Sequence, residues 1–145
     1  MQLFEDIAES RNDFIYHYSD SDIKSGIRFQ NGYEFFYVYS GQAVLKTDGN
    51  EYQISAGEAA VIFPDIVHSY ITEEKSESYM CVFSPSYVPE FTKNHKLSCK
   101  EISVFGLSGG EGLIDNLKSA ENRFAQKGIL YYLLSFSIEE QEDEQ

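Results

Sequence analysis

The sequence predicts a mainly β domain, an antiparallel sandwich or barrel followed by two α-helices, and three observations carry that prediction. Between Asp13 and Pro85 short apolar runs are closed at even spacing by turn residues, the rhythm of an antiparallel β domain. Asp48-Gly49 stands between "QAVLKT" and "EYQIS", and Asp-Gly readily supplies the positive φ angles of a tight hairpin turn. From Glu111 onward Leu113, Ile114 and Leu117 fall at three- and four-residue steps, the helical period.

Taken in order, "EFFYVYS" (Glu34 to Ser40) is an aromatic and β-branched strand that Gly41 punctuates. The Asp48-Gly49 hairpin follows and ends at "SAG", after which "EAAVIFP" starts a buried strand. "HSYIT" and "SYMCVFSP" read as two more strands, separated by the charged loop "EEKSES". After Pro85, "SYVPEFTKNHK" reads as a short turn of helix or a loop, and Ile102 to Phe105 as one further strand. "ILYYLLSFSI" is apolar almost all the way round, and a helix of that kind needs two partners where a narrow stripe needs one. It therefore suits packing on the sheet together with a subunit interface, or burial within its own chain. Gly128 just before it either ends the preceding helix or permits close approach within one longer helix. The closing "IEEQEDEQ" sets five carboxylates at a helix C-terminus, where the helix dipole disfavours negative charge; it is expected to fray and to begin a linker.

The chain has 145 residues, one domain's length, with 42% apolar residues, 11 Tyr and 11 Phe, enough to build a core. Its formal charge of −13 argues against this chain gripping DNA or an anionic membrane, both of which call for Lys and Arg. The two cysteines, Cys81 and Cys99, are too few for a zinc site of their own and read as buried packing residues. The acidic start "MQLFEDIAES" lacks the segments of a signal peptide, and no apolar run reaches membrane-spanning length. A cytoplasmic, reduced protein is expected.

The ordered set "GYEFFYVYSGQAVLKTDGNEYQISAGEAAVIFPDIVHSY" resembles the cupin core of the AraC-family transcription regulators: carboxylate, aromatic strand, Ser-Gly, Asp-Gly hairpin, Gly-acid, apolar strand, Pro, then His after three residues. The resemblance covers roughly forty residues closely, no single piece being specific. It implies a cupin-type double-stranded β-helix, a jelly-roll barrel, over residues 1–106 with an N-terminal arm, then a helical dimerisation segment over 107–145.

A cupin metal site places two histidines and a carboxylate on one strand and a histidine on a later one. Carried over residue by residue, Glu34 takes the carboxylate position and His68 the later histidine. The two earlier histidine positions hold Arg28 and Gln30, neither a normal metal ligand; His17 and His95 lie outside the motif. No metal, cofactor or catalytic residue is expected. Cupin alternation instead turns Arg28, Gln30 and Glu34 into the barrel, with His68 and Tyr70 on a facing strand. A guanidinium, an amide, a carboxylate, an imidazole and an aromatic face suit a small hydroxylated or anionic ligand such as a sugar. The resemblance places Tyr70 at an aromatic ligand position of sugar-responsive members, and Ser78 and Met80 near other ligand positions from which they differ in type. The same residues could also serve structure alone, as an Arg–Glu pair and a backbone-bonded His68.

The family further implies a small-molecule effector, a homodimer through the C-terminal helices at Ile129, Tyr132, Leu133 and Phe136, and DNA binding only through a C-terminal domain not present in this chain. The chain is thus expected to be the sensory part of a longer regulator. A free-standing cupin enzyme (isomerase or dioxygenase) and a ligand-free dimerisation module are the alternatives.

Overall fold

The structure, a computed structural model, describes residues 13–20, 23, 31–72, 75–98 and 100–138, without the side chains of 95–98. Arg28, Gln30, Cys99 and the N-terminal arm lie outside the described residues, as does the His95 side chain.

Eight strands among the described residues form two antiparallel sheets: β1 (Ile15–Ser19), β2 (Tyr33–Ser40), β3 (Gln42–Thr47), β4 (Asn50–Ser55), β5 (Glu58–Ile62), β6 (His68–Thr72), β7 (Glu77–Phe83) and β8 (Ile102–Gly106). The larger sheet runs β1-β7-β2-β5-β8 and the smaller β4-β3-β6. The α-helices bounded within the described residues are α1 (Pro89–Ser98) between β7 and β8, then α2 (Gly110–Ser119) and α3 (Arg123–Leu134). The fold is the cupin-type barrel with two C-terminal helices.

β2 explains the architecture. Its first six residues are all buried, because each of its faces meets a different core. Phe36 and Val38 point between the sheets, where they pack with Leu45, Ile54, Ile62, Met80 and Val82. Tyr33, Phe35 and Tyr37 point the other way, into a second core shared with Ile114 and Leu117 of α2 and Leu130, Leu133 and Leu134 of α3. Each such fully buried aliphatic or aromatic side chain contributes about 1.5–3 kcal/mol. The smaller sheet faces water on its outside, where Ile71 is 53% exposed and Lys46 pairs with Glu51 at 3.5 Å.

Local chemistry ends each strand where it must. Gly49 has φ 92 in the Asp48-Gly49 turn, and the hairpin closes with Thr47 opposite Asn50. Gly41 has φ 81, and a Cβ there would meet Ser76 Cβ at 2.7 Å and Cα at 2.8 Å, so only glycine lets β2 pass into β3 beneath the start of β7. "SYVPEFTKNHK" forms a 3₁₀ turn at Pro85–Tyr87 and then α1. Gly128 lies inside α3, which starts at Asn122, whose side chain accepts the amide N–H of Ala125 at 2.9 Å and so caps the helix.

Candidate functional site

The antiparallel ladder brings Glu34, His68 and Tyr70 together. Glu34 lies opposite Ile62 on β5 and Val82 on β7, with its side chain turned between the sheets, on the same face as Phe36. On the smaller sheet His68 is opposite Thr47 and Tyr70 opposite Leu45. Alternate residues of a strand share a face, so His68 and Tyr70 both reach across to Glu34.

The three side chains form one buried hydrogen-bonded cluster. His68 Nε2 lies 2.7 Å from Glu34 Oε2, with the two side chains 10% and 4% exposed. The Tyr70 hydroxyl donates to the same Oε2 at 2.5 Å. His68 Nδ1 stands 2.6 Å from the Ile66 carbonyl oxygen, which can only accept, so Nδ1 carries a proton. One proton is then shared between Nε2 and Oε2, an imidazolium–carboxylate pair when it sits on nitrogen. Burial, then the charge of Glu34 and the hydrogen bond to it, hold the Tyr70 phenol well above its ordinary range, so Tyr70 stays a donor. Phe36 stacks on the Tyr70 ring at 4.2 Å, giving the cluster an aromatic floor.

A cavity of about 660 Å³ opens at the same end of the barrel. It is walled by the β3–β4 hairpin, the β5–β6 loop and the start of β8, and its polar lining includes Asp48, Asn50, Asp65 and Glu101 with Lys100. Ile66, whose carbonyl anchors His68, and Thr47, the ladder partner of His68, belong to that wall. Glu34, His68 and Tyr70 do not themselves line the cavity; the cluster adjoins it through Ile66 and Thr47.

Met80 is 2% exposed in the core between the sheets, opposite Phe36. Ser78 is opposite Val38, four strand residues and so about 13 Å along β2 from Glu34, and its Oγ donates to Asp20 at 2.8 Å. It does not join the cluster. On α3, Leu133 is 2% exposed in the chain's own core, whereas Tyr132 is 50% exposed; Ile129 and Phe136 are partly buried against that core.

Asp48 reads in the sequence only as a hairpin turn residue, and Asp65, Lys100 and Glu101 as ordinary loop residues, so none of them stood out as a site residue. A second polar row did not stand out either. His17 Nδ1 is 2.5 Å from the Tyr79 hydroxyl, Lys118 Nζ lies 5.7 Å above the Tyr79 ring, and these three line a cavity of about 280 Å³ with Tyr39 on the outer face of the larger sheet. Burial pushes the Cys81 thiol behind them up to about 12, which keeps it an inert packing group. Among the described residues no group of three or more His, Cys, Asp or Glu gathers to hold a metal ion, and no helix is long and apolar enough to cross a membrane.

The sequence profile of the AraC-like ligand binding domain matches residues 15–134. No curated protein matches the chain. Among solved structures, ToxT from Vibrio cholerae superposes with a TM-score of 0.59 at 13% identity, covering 93% of this chain and 61% of that one. Unsaturated fatty acid bound wild-type ToxT from Vibrio cholerae strain SCE256 gives 0.55 at 13% identity, over 85% of this chain and 52% of that one. The AraC-like transcriptional activator CuxR gives 0.56 at 10% identity, over 92% and 52%. At these identities the likeness is one of fold, and this chain spans 61% of the length of the first ToxT chain.

Proposed function

The chain belongs to the AraC-like ligand-binding domain family, and we propose that it is the effector-sensing and dimerisation part of an AraC-type transcription regulator, taking a small hydroxylated metabolite such as a sugar at the barrel end behind which Glu34, His68 and Tyr70 stand. The observation that carries this reading is the buried Glu34–His68–Tyr70 cluster backing a cavity of about 660 Å³. The Asp48, Asp65 and Glu101 carboxylates at the mouth accept from hydroxyls, the Asn50 amide accepts and donates, and Ile66, Val67 and Ile102 meet C–H groups. Asp48, Asp65, Lys100 and Glu101, set beside an apolar wall of Ile66, Val67 and Ile102, favour a hydroxylated ligand over a wholly apolar chain like the fatty acid bound by ToxT. Arg28 and Gln30 complete the site in this reading. The barrel with its arm, 1–106, binds, and the segment 107–145 dimerises and leads to a DNA-binding domain.

The dimer face is carried by α3. Phe124, 86% exposed, and Tyr132, 50% exposed, flank Gly128 at four-residue steps and so share a stripe. A Cβ on Gly128 would meet nothing within 4 Å in its own chain, yet an interior helix glycine costs about 1 kcal/mol against alanine. An antiparallel crossing of two copies at Gly128 uses that absence and seats Phe124 against the partner's Tyr132. Ile129 and Phe136 border this stripe; Leu133 belongs to the core.

The test is a thermal-shift panel of neutral sugars and sugar acids on wild type, Arg28→Ala, His68→Ala and Tyr70→Phe. A ligand that raises Tm in wild type and loses its effect in these variants supports the site. A ligand whose shift survives all three variants overturns it.

A further inference from the structure

Glu34, His68 and Tyr70 do not line the mouth cavity, yet one of them holds part of its wall. Asp65, Ile66 and Val67 of the β5–β6 loop all border the cavity, and the loop runs between two fixed points. Before it, the Phe63 amide donates to the Glu101 carbonyl at 3.0 Å, tying the end of β5 to the segment where Lys100, Glu101 and Ile102 line the same cavity. After it, His68 enters β6 opposite Thr47. Its Nδ1 donates back to the Ile66 carbonyl at 2.6 Å, and its Nε2 lies 2.7 Å from Glu34 Oε2. One imidazole thus braces the mouth wall against the buried strand β2.

The wall held in this way is both strained and open to solvent. Among the described residues Asp65 is the one non-glycine at positive φ, 68, a left-handed conformation that an L side chain enters at a cost and keeps where its surroundings impose it. Asp65 is exposed and Val67 is 66% exposed, so a ligand in the cavity can reach both. Together they set a carboxylate acceptor beside an apolar side chain, the pairing that the hydroxyl and C–H groups of a sugar call for.

We propose that Asp65 is a specificity-determining acceptor for an effector hydroxyl and that His68 is its positioning residue, acting through the Ile66 carbonyl without touching the ligand; this rests on the barrel-end effector site proposed above. The two bonds of the imidazole have separable consequences. The bond from Nδ1 to Ile66 fixes the peptide just beyond Asp65 and so places the wall. The contact between Nε2 and Glu34 satisfies a buried carboxylate and so stabilises the cluster. Two substitutions pull them apart, because Asn carries its amide nitrogen where Nδ1 stands and Gln carries its own near the place of Nε2. His68→Asn keeps a donor for Ile66 and gives up the one to Glu34; His68→Gln does the reverse.

The test titrates the full chain calorimetrically with D-glucose and D-galactose, and records Tm and amide resonances without ligand. Asp65→Gly, which removes the carboxylate at a φ that glycine adopts freely, should bind the sugar at least about tenfold more weakly than wild type with Tm unchanged or slightly higher. His68→Gln should match that loss and shift the Asp65 and Val67 amide resonances, whereas His68→Asn should stay within about threefold of wild type. Stability should run in the opposite order, with His68→Asn below His68→Gln, because it leaves buried Glu34 short of a donor. A histidine that only stabilises the fold would give one order in both readouts, and that result would overturn the proposal. His68→Gln with wild-type affinity and unshifted resonances would overturn it too, whether or not His68→Asn folds. Binding weakened by Arg28→Ala but untouched by Asp65→Gly and His68→Gln would overturn it and leave the barrel-end site standing. If neither sugar binds, the resonances decide: unmoved by His68→Gln they overturn the positioning role, and moved by His68→Gln but not by His68→Asn they uphold it.

Discussion

Replacing Tyr70 by Phe removes one hydroxyl from the buried cluster and keeps the ring that stacks on Phe36 at 4.2 Å. What is lost is the 2.5 Å bond from the Tyr70 hydroxyl to Glu34 Oε2. Hydrogen bonds to a charged partner are worth about 1.5–3 kcal/mol, and Glu34 would be left buried with one donor fewer. At this chain length that corresponds to a fall in Tm of roughly 5–10 °C. Urea denaturation followed by circular dichroism should show a lower midpoint with an unchanged m value. The double variant with Glu34→Gln should be less destabilised than the two single changes added together, by about 0.5–3 kcal/mol, since both act on one bond. A Tyr70→Phe cost within about 0.5 kcal/mol of zero, together with strict additivity, would refute the cluster.

Partial desolvation of the His17 ring, then the nearby Lys118 ammonium, hold its imidazole below the ordinary range. The unfolded chain takes up that proton near the ordinary histidine value of about 6.5, and the folded chain only at lower pH, so stability falls as pH drops below about 6.5; His17→Gln should flatten the urea midpoint between pH 7.5 and 5. A Cβ on Gly110 would meet the Tyr37 ring at 2.5 Å, so Gly110→Ala should lower stability by about 1–3 kcal/mol in urea titrations. Gly128→Ala, which meets nothing in its own chain, should stabilise the protomer by about 0.5–1 kcal/mol and shift light-scattering mass toward monomer. Tyr132→Asp should give a folded monomer, whereas Leu133→Asp, at a side chain 2% exposed, should abolish cooperative unfolding.

Turns and single strands were legible because their signals are local. Asp48-Gly49 closes the β3–β4 hairpin, "HSYIT" is β6 residue for residue, and the run from Ile102 carries β8. Parity within a strand is also local and sets His68 and Tyr70 on one face; the cupin resemblance then turned that face and Glu34 inward before any pairing was known. What depends on which strands neighbour one another was not legible. The unbroken burial of β2 follows from helices lying on its outer face, and the sequence of β2 alone does not say that helices are there. The same dependence hid the Leu133 and Tyr132 difference, because both read as apolar helix positions until the direction of the sheet is fixed. The family resemblance set Ser78 near a ligand position, but its register opposite Val38 carries it about 13 Å along β2 from Glu34.

Effector binding at the barrel end is tested by mapping amide chemical shifts while the isotopically labelled chain is titrated with the ligand that gives the largest thermal shift. Perturbations should concentrate at residues 47–52, 65–70 and 100–104, around the mouth and the Glu34–His68–Tyr70 cluster. Perturbations concentrated instead around His17, Tyr39, Tyr79 and Lys118, the cavity on the outer face of the larger sheet, would contradict it.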